Sequence, residues 1–330
     1  MVLIPKRLLA VCCVLLASSG CSIKRMAVNK VASALASGGS TYEEDDDPEL
    51  VAAALPFGLK LMESLLAEAP KNPDLLMATS SGFTEYAYAF VEQPASLGGE
   101  SLDRRDAQRE RARKLYLRAH AYGMRGLDAR YPGFAAKADQ DIAAALARTG
   151  KRDVPLLYWT AASLGLAISS SKGDPEMVGR LPMVEALIAR VVELDEAWSG
   201  GAVPEFLISL ESSRPGLSKP EMLKLMKQHF DRAIQLSKGA RAGGYVSYAE
   251  NACVAAQDVA GFRTALEKAL AIDTEAKSEN RLANLIAQRR ARWLLAHTGD
   301  LFLEAEPADQ TGAAPAPTAQ PDATPAPAAP

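Results

Sequence analysis

The residues of this 330-residue chain that most readily carry covalent or metal chemistry are its four cysteines and three histidines. Cys21 closes the run LLASSGC, where Ser18, Ser19 and Gly20 lead straight into the thiol. Small residues directly before a cysteine resemble the bacterial lipoprotein box, in which a peptidase cuts before the cysteine and the thiol carries a diacylglycerol. Lipidation of Cys21 is therefore the first chemistry expected. Each acyl chain, palmitate for example, contributes about 0.8 kcal/mol per buried methylene, so a multiply acylated Cys21 would be held firmly at a membrane. Ser18 stands where the box usually has leucine, and Cys12 and Cys13 lie nearby, although neither follows a glycine. A secretory signal with incidental cysteines is the alternative. After cleavage Cys253 would have no disulfide partner, and in YAENACVAA it reads as a small buried apolar residue.

No metal site is expected from His120, His229 and His297, which are far apart in sequence and in no HExxH pattern. GxSxG, P-loop and GxGxxG-in-βαβ signatures are missing, so no cofactor is expected. Two Glu-Ser dipeptides, Glu63-Ser64 and Glu211-Ser212, match the catalytic dipeptide of lytic transglycosylases, whose glutamate must have a raised pKa to act as an acid. Neither is followed by the Gly-Leu-Met-Gln-like segment of those enzymes, and no catalytic residue is assigned. The chain is read as a non-enzyme.

Binding chemistry is more legible. In ENRLANLIAQRRARWLL, residues 279–295, Asn280, Asn284 and Gln288 recur every fourth position and form an amide stripe on one helix. Amides donate and accept, which suits either a polar cavity lining or hydrogen-bonded helix packing; buried amides are commonly satisfied by neighbouring backbone. Arg289, Arg290 and Arg292 would then face acidic partners in the chain, a protomer interface or solvent. Tyr158-Trp159, and Tyr245 with Tyr248, offer rings for a groove or for the core. Arg214, before Pro215, would cap helix carbonyls or bind a carboxylate. Tyr158, Trp159, Arg214, Tyr245, Asn280, Asn284 and Gln288 are thus the candidate cavity or ligand-binding residues.

The elements that must position them follow from composition and periodicity. Lys6 and Arg7 precede an apolar run at Leu8–Ala17 that is of signal-peptide size and too short to span a bilayer. Residues 1–20 are read as a lipoprotein signal peptide and 21–47 as a lipidated tether. Ser22 is not aspartate, which fits passage to an outer membrane. A net charge of -3 argues against nucleic-acid binding. Residues 305–330, with seven prolines and no aromatic residue, cannot bury a core and are expected to be disordered.

Between them, 48–304 shows helical periodicity broken by Pro and Gly and no sustained period-two stretch. Asp47 is expected as N-cap, with Pro48 first in the helix and Glu49 in its positive first turn. Four similar helices end in turns at Pro70, Asp195, Ser237 and Asp273, the last two intervals being 42 and 36 residues, against 34 in a standard tetratricopeptide repeat (TPR). Gly123, Gly126 and Gly165 cost about 1 kcal/mol each inside helices, so they mark close helix contacts. The fold expected is all-α, an irregular TPR-like solenoid of about ten to twelve helices with a concave face.

The blocks DDDPELVAAALPFGLKLMESLLAEAPKNPDLLMATSSGFTEYAYAFV, DVPLLYWTAASLGLAIS, FLISLESSRPG, RAIQLSKGARAGGYVSYAENACVAAQD and ENRLANLIAQRRARWLLAHTGDLFLE, in that order over about 45–304, resemble the TatT family. These are TPR lipoproteins associated with tripartite ATP-independent periplasmic (TRAP) transporters. The resemblance implies a non-enzymatic protein lipid-anchored at the periplasmic face of a bacterial membrane, the outer membrane being expected, that self-associates as a homo-oligomer, a trimer. It also implies docking of the TRAP substrate-binding protein (P component) and a hydrophobic-lined cavity that passes a small apolar organic acid. The competing expectation is a TPR adaptor lipoprotein in cell-envelope or outer-membrane assembly.

Overall fold

The computed structural model describes residues 30, 40–96, 101–171 and 173–303. The expected signal segment 1–20, the lipidation residue Cys21 and the tail 305–330 lie outside the described residues. Among the described residues the chain is helical throughout, with no strand, and forms a helical solenoid. Its elements are α1 (Ser40–Glu43), α2 (Pro48–Glu68), α3 (Pro73–Ala87), α4 (Leu102–Arg130), α5 (Phe134–Gln140), α6 (Ile142–Leu146), α7 (Val154–Ser169), α8 (Leu181–Asp195), α9 (Ala202–Glu211), α10 (Lys219–Ser237), α11 (Ala242–Tyr248), α12 (Val259–Leu270) and α13 (Arg281–Ala296).

Helix starts follow local chemistry. The Asp47 carboxylate accepts from the Leu50 amide at 2.9 Å with Pro48 first in α2, as its sequence predicts. Asn72 caps α3 by accepting from the amides of Asp74 and Leu75 at 3.1 and 3.0 Å, and Ser218 and Glu221 form a capping box on α10. The turns expected at Pro70, Asp195, Ser237 and Asp273 all fall at or just beyond a helix end. Helices α3 and α11 each continue into a π-helical segment, Tyr88–Glu92 and Ala249–Cys253.

The main core lies where α7 packs between α4 and α8. Helix α7 is apolar nearly all round, burying Leu156, Leu157, Leu164 and Ile168. A second core joins α11, α12 and α13 around Phe262, Leu266 and Leu294, and takes in Cys253, which is 1% exposed. The three helical glycines mark close approaches, as expected: an added Cβ would meet Thr160 Oγ1 at 2.3 Å from Gly123, Leu156 at 2.8 Å from Gly126 and Phe206 at 2.8 Å from Gly165.

Helix α2 is long and apolar enough to cross a membrane by length and composition. One side of it is nonetheless built into the core, with Leu59 packed on Phe83 and Ala119, and Leu66 on Leu75 and Leu76. Its other side leaves Leu50, Phe57 and Leu61 exposed.

The solenoid curls until its last long helix returns to its first. Helix α13 packs against α1 and α2, so residues 40–47 lie on the folded body. Arg281 Nη1 donates to the Glu44 carbonyl at 2.8 Å, and Arg289 pairs with Glu49. Arg290, 7% exposed, pairs with Glu250 of the second π segment, donates to Ser96 Oγ at 2.9 Å and stacks over Trp293. The concave face expected from a TPR-like array thereby becomes a partly enclosed space.

Gly123→Ala gains about 1 kcal/mol of helix propensity, but its methyl group would press on a Thr160 side chain anchored to the Leu156 carbonyl at 2.6 Å. Overpacking of this kind costs about 1–3 kcal/mol, so a net loss of up to about 2 kcal/mol is expected in thermal denaturation. Gly299→Ala, in the short helix Thr298–Leu301 where an added Cβ meets nothing within 4 Å, should leave the melting temperature unchanged or raise it by the propensity gain alone. Equal melting temperatures for the two variants would refute the close α4–α7 contact.

Candidate functional site

The interior space is a cavity of about 520 Å³, a size typical of small-molecule sites. Its walls arise from helical periodicity. Helix α3 and the π segment after it contribute Met77, Ser81, Glu85 and Tyr88, spaced four, four and three residues apart on one face. Helix α7 contributes Pro155, Trp159, Ala162 and Leu166 in the same way. Leu59 and Met62 of α2, Phe206 of α9 and Leu282 and Ile286 of α13 complete a mostly apolar lining. Three aromatic residues form one corner, with Tyr158 edge-on to Trp159 at 5.1 Å between centroids and tilted against Trp198 at 4.7 Å.

One end of the cavity is polar. Arg241, just before α11, donates from Nε to Glu205 at 3.1 Å and from Nη1 to Asn280 Oδ1 at 3.3 Å. Gly243 makes room for the Glu205 carboxylate, whose Oε1 would lie 2.1 Å from an added Cβ. Glu85 presents its carboxyl to this partly open cavity, surrounded by the helices that line it. That enclosure, and then the nearby Glu43, push its pKa up to about 8. Glu43 is raised too, by burial first and then by Glu44, with Arg241 opposing. Burial likewise lifts the phenols of Tyr88 and Tyr158.

The structure brings some of the sequence candidates together and separates others. Tyr158, Trp159 and Asn284 border the cavity, and Asn280 reaches it through Arg241. Asn284 accepts from the Ala242 amide at 2.8 Å and donates to the Ala240 carbonyl at 3.0 Å, so it also fixes the start of α11. Gln288 lies on the α12 side, donating to the Ala269 and Ile272 carbonyls at 3.1 and 2.8 Å. Tyr245 packs edge-on to Phe230. Arg214 binds carboxylates within the chain, Glu185 at 2.8 Å and Glu211 at 3.0 Å. Gln288, Tyr245 and Arg214 are not among the lining residues.

Sequence reasoning missed Glu43, Glu85, Tyr88, Glu205 and Arg241. The spacing of Met77, Ser81, Glu85 and Tyr88 was readable, but a helix face shows its period without showing that solvent or a cavity lies opposite.

The Glu-Ser dipeptides offer no general acid. Burial alone would raise Glu63, but hydrogen bonds from Lys60 and Tyr122 and the charge of Arg118 hold it below the usual value. His229 and Arg214 do the same for Glu211 against its burial. Among the described residues no three His, Cys, Asp or Glu side chains gather as for a metal. Cys253 is inert, its thiol pushed by burial up to about 12.

The model of one protein family, the TRAP transporter T-component, matches residues 44–302. A protein of Treponema pallidum (strain Nichols), described only as uncharacterized, is 31% identical over 319 residues, spanning 89% of this chain and 98% of that protein.

Glu85 should couple stability to pH. The folded chain holds its proton to about 8, whereas the unfolded chain releases it near the usual 4.5. Between those values the native state binds more protons, so stability falls as pH rises. Glu85→Gln is expected to match the wild-type melting temperature at pH 4 and exceed it at pH 8 by about 2–4 °C, with on the order of 1 kcal/mol surviving the water the cavity admits. A difference independent of pH would show that Glu85 titrates normally.

Proposed function

Because the chain belongs to the TRAP transporter T-component family, we propose that it is a lipid-anchored accessory protein that docks the substrate-binding protein of a TRAP transporter and holds a small, largely apolar organic molecule in its central cavity. The family assigns it a TRAP-associated role and a periplasmic or membrane-associated place, in a transporter component and not an enzyme family. The anchor is Cys21, at the periplasmic face of the outer membrane.

The observation that carries the ligand-holding reading is the closure of the solenoid around about 520 Å³ of mostly apolar space. A scaffold that only joined proteins would gain nothing from such an interior, since empty apolar volume forfeits packing contacts. Supporting self-association, α2 leaves an apolar face uncovered, with Phe57 75% and Leu50 58% exposed. A second copy of the chain is the proposed occupant of that face.

Two experiments test the reading. Cross-linking and affinity capture from native membranes should recover a TRAP substrate-binding protein as the main partner, and Cys21→Ser should move the protein to the soluble fraction. Recovery of envelope-assembly proteins in its place would overturn the transport reading and favour an adaptor. Phe57→Asp should shift the sedimenting species to a monomer, whereas an unchanged mass would place the self-contact elsewhere.

A further inference from the structure

The polar end of the cavity carries more acid than base. Glu43, Glu85, Glu205 and Glu279 border it, against the single guanidinium of Arg241. Arg241 is already engaged by Glu205 and Asn280. The side-chain carboxyl of Glu85 has no hydrogen bond or ion pair among the described residues, and its charged neighbour is another carboxyl, Glu43. An anionic head entering here would meet these carboxyls and would have to displace Glu205 from Arg241, the one lining cation among the described residues. Desolvating a carboxylate without a partner costs several kcal/mol.

A cationic head meets the opposite situation. Glu85 offers an unused carboxyl, and the rings of Tyr88, Tyr158, Trp159 and Trp198 border the same space. Aromatic faces attract ammonium groups, by about 0.5–2 kcal/mol in partly desolvated sites. The apolar remainder of the lining, from Leu59 to Ile286, then takes a hydrocarbon body.

We propose that the cavity selects organic cations, a protonated amine on an apolar body, with Glu85 as counter-ion and the aromatic corner beside it. This rests on the cavity being a ligand site, and replaces the organic acid that the family resemblance implies. Ammonium binding ionises Glu85 and releases its proton, so affinity rises from about pH 6 to about pH 8 as that proton becomes easier to remove. The titratable groups that line the cavity with Glu85 are Tyr42 and Glu43 on α1, Tyr88 beyond α3, Tyr158 on α7, Glu205 on α9, Arg241 before α11 and Glu279 before α13.

The test uses three probes with one tail, n-decylammonium, n-decanol and n-decanoate, titrated at pH 7.5 by calorimetry and by the fluorescence of the tryptophans, two of which, Trp159 and Trp198, line the cavity. Decylammonium is expected to bind at least about tenfold more tightly than either of the others, a difference of about 1.4 kcal/mol. In Glu85→Gln it should fall to the level of decanol while decanol itself binds as before, which shows that the cavity is intact. Decanoate binding as tightly as or more tightly than decylammonium would overturn the inference and leave the cavity a ligand site. No binding of any probe would overturn both. An unchanged decylammonium preference in Glu85→Gln would remove Glu85 as counter-ion and overturn the inference.

Discussion

Ring closure depends most on Arg290. Its guanidinium joins its own helix, where it stacks over Trp293, to two parts of the chain far away in sequence: Glu250 in the second π segment and Ser96 at the end of the α3 extension. A nearly buried guanidinium is costly unless its donors are used, and here a carboxylate, a hydroxyl and a ring face use them. Arg281 and Arg289 add exposed contacts to the N-terminal residues, but exposed pairs contribute at most about 1 kcal/mol each. The interior junction, not the surface pairs, is what makes a return of α13 to the beginning of the chain specific.

Closure in turn determines what the helices must carry. In an open array a residue such as Glu85 would face water and cost nothing. Once the ring is shut, the same position faces a confined space and its charge becomes unfavourable. The narrow approaches at Gly123, Gly126 and Gly165 let α4, α7 and α9 pack tightly, Gly165 against Phe206 of the cavity wall. Tight packing between helices and free volume inside are therefore two results of one arrangement of small and large residues.

Much of the scaffold was legible because it is local. Caps such as Asp47, the glycine contacts and the ends of the repeat helices depend on neighbours within a few residues or on one helix face. The amide stripe was visible for the same reason, yet its roles diverge: Asn284 serves a helix start and the cavity, while Gln288 ties down the end of α12. Nothing in the spacing separates those uses, since they depend on which helix returns to lie opposite. The five missed polar residues failed for that reason. Arg241 lies before α11, Glu205 on α9 and Glu85 on α3, and only the closed ring brings them to one end of one space.

The charge at that end links binding to folding. Glu85 is unfavourable in the empty cavity because enclosure and Glu43 oppose its ionisation, and no neighbour pairs with it. A solute that supplies the missing countercharge relieves this cost only in the closed form, since the unfolded chain has water around the same carboxyl. Stabilisation by such a solute grows with its concentration over its Kd, about 2.7 kcal/mol at a hundredfold excess.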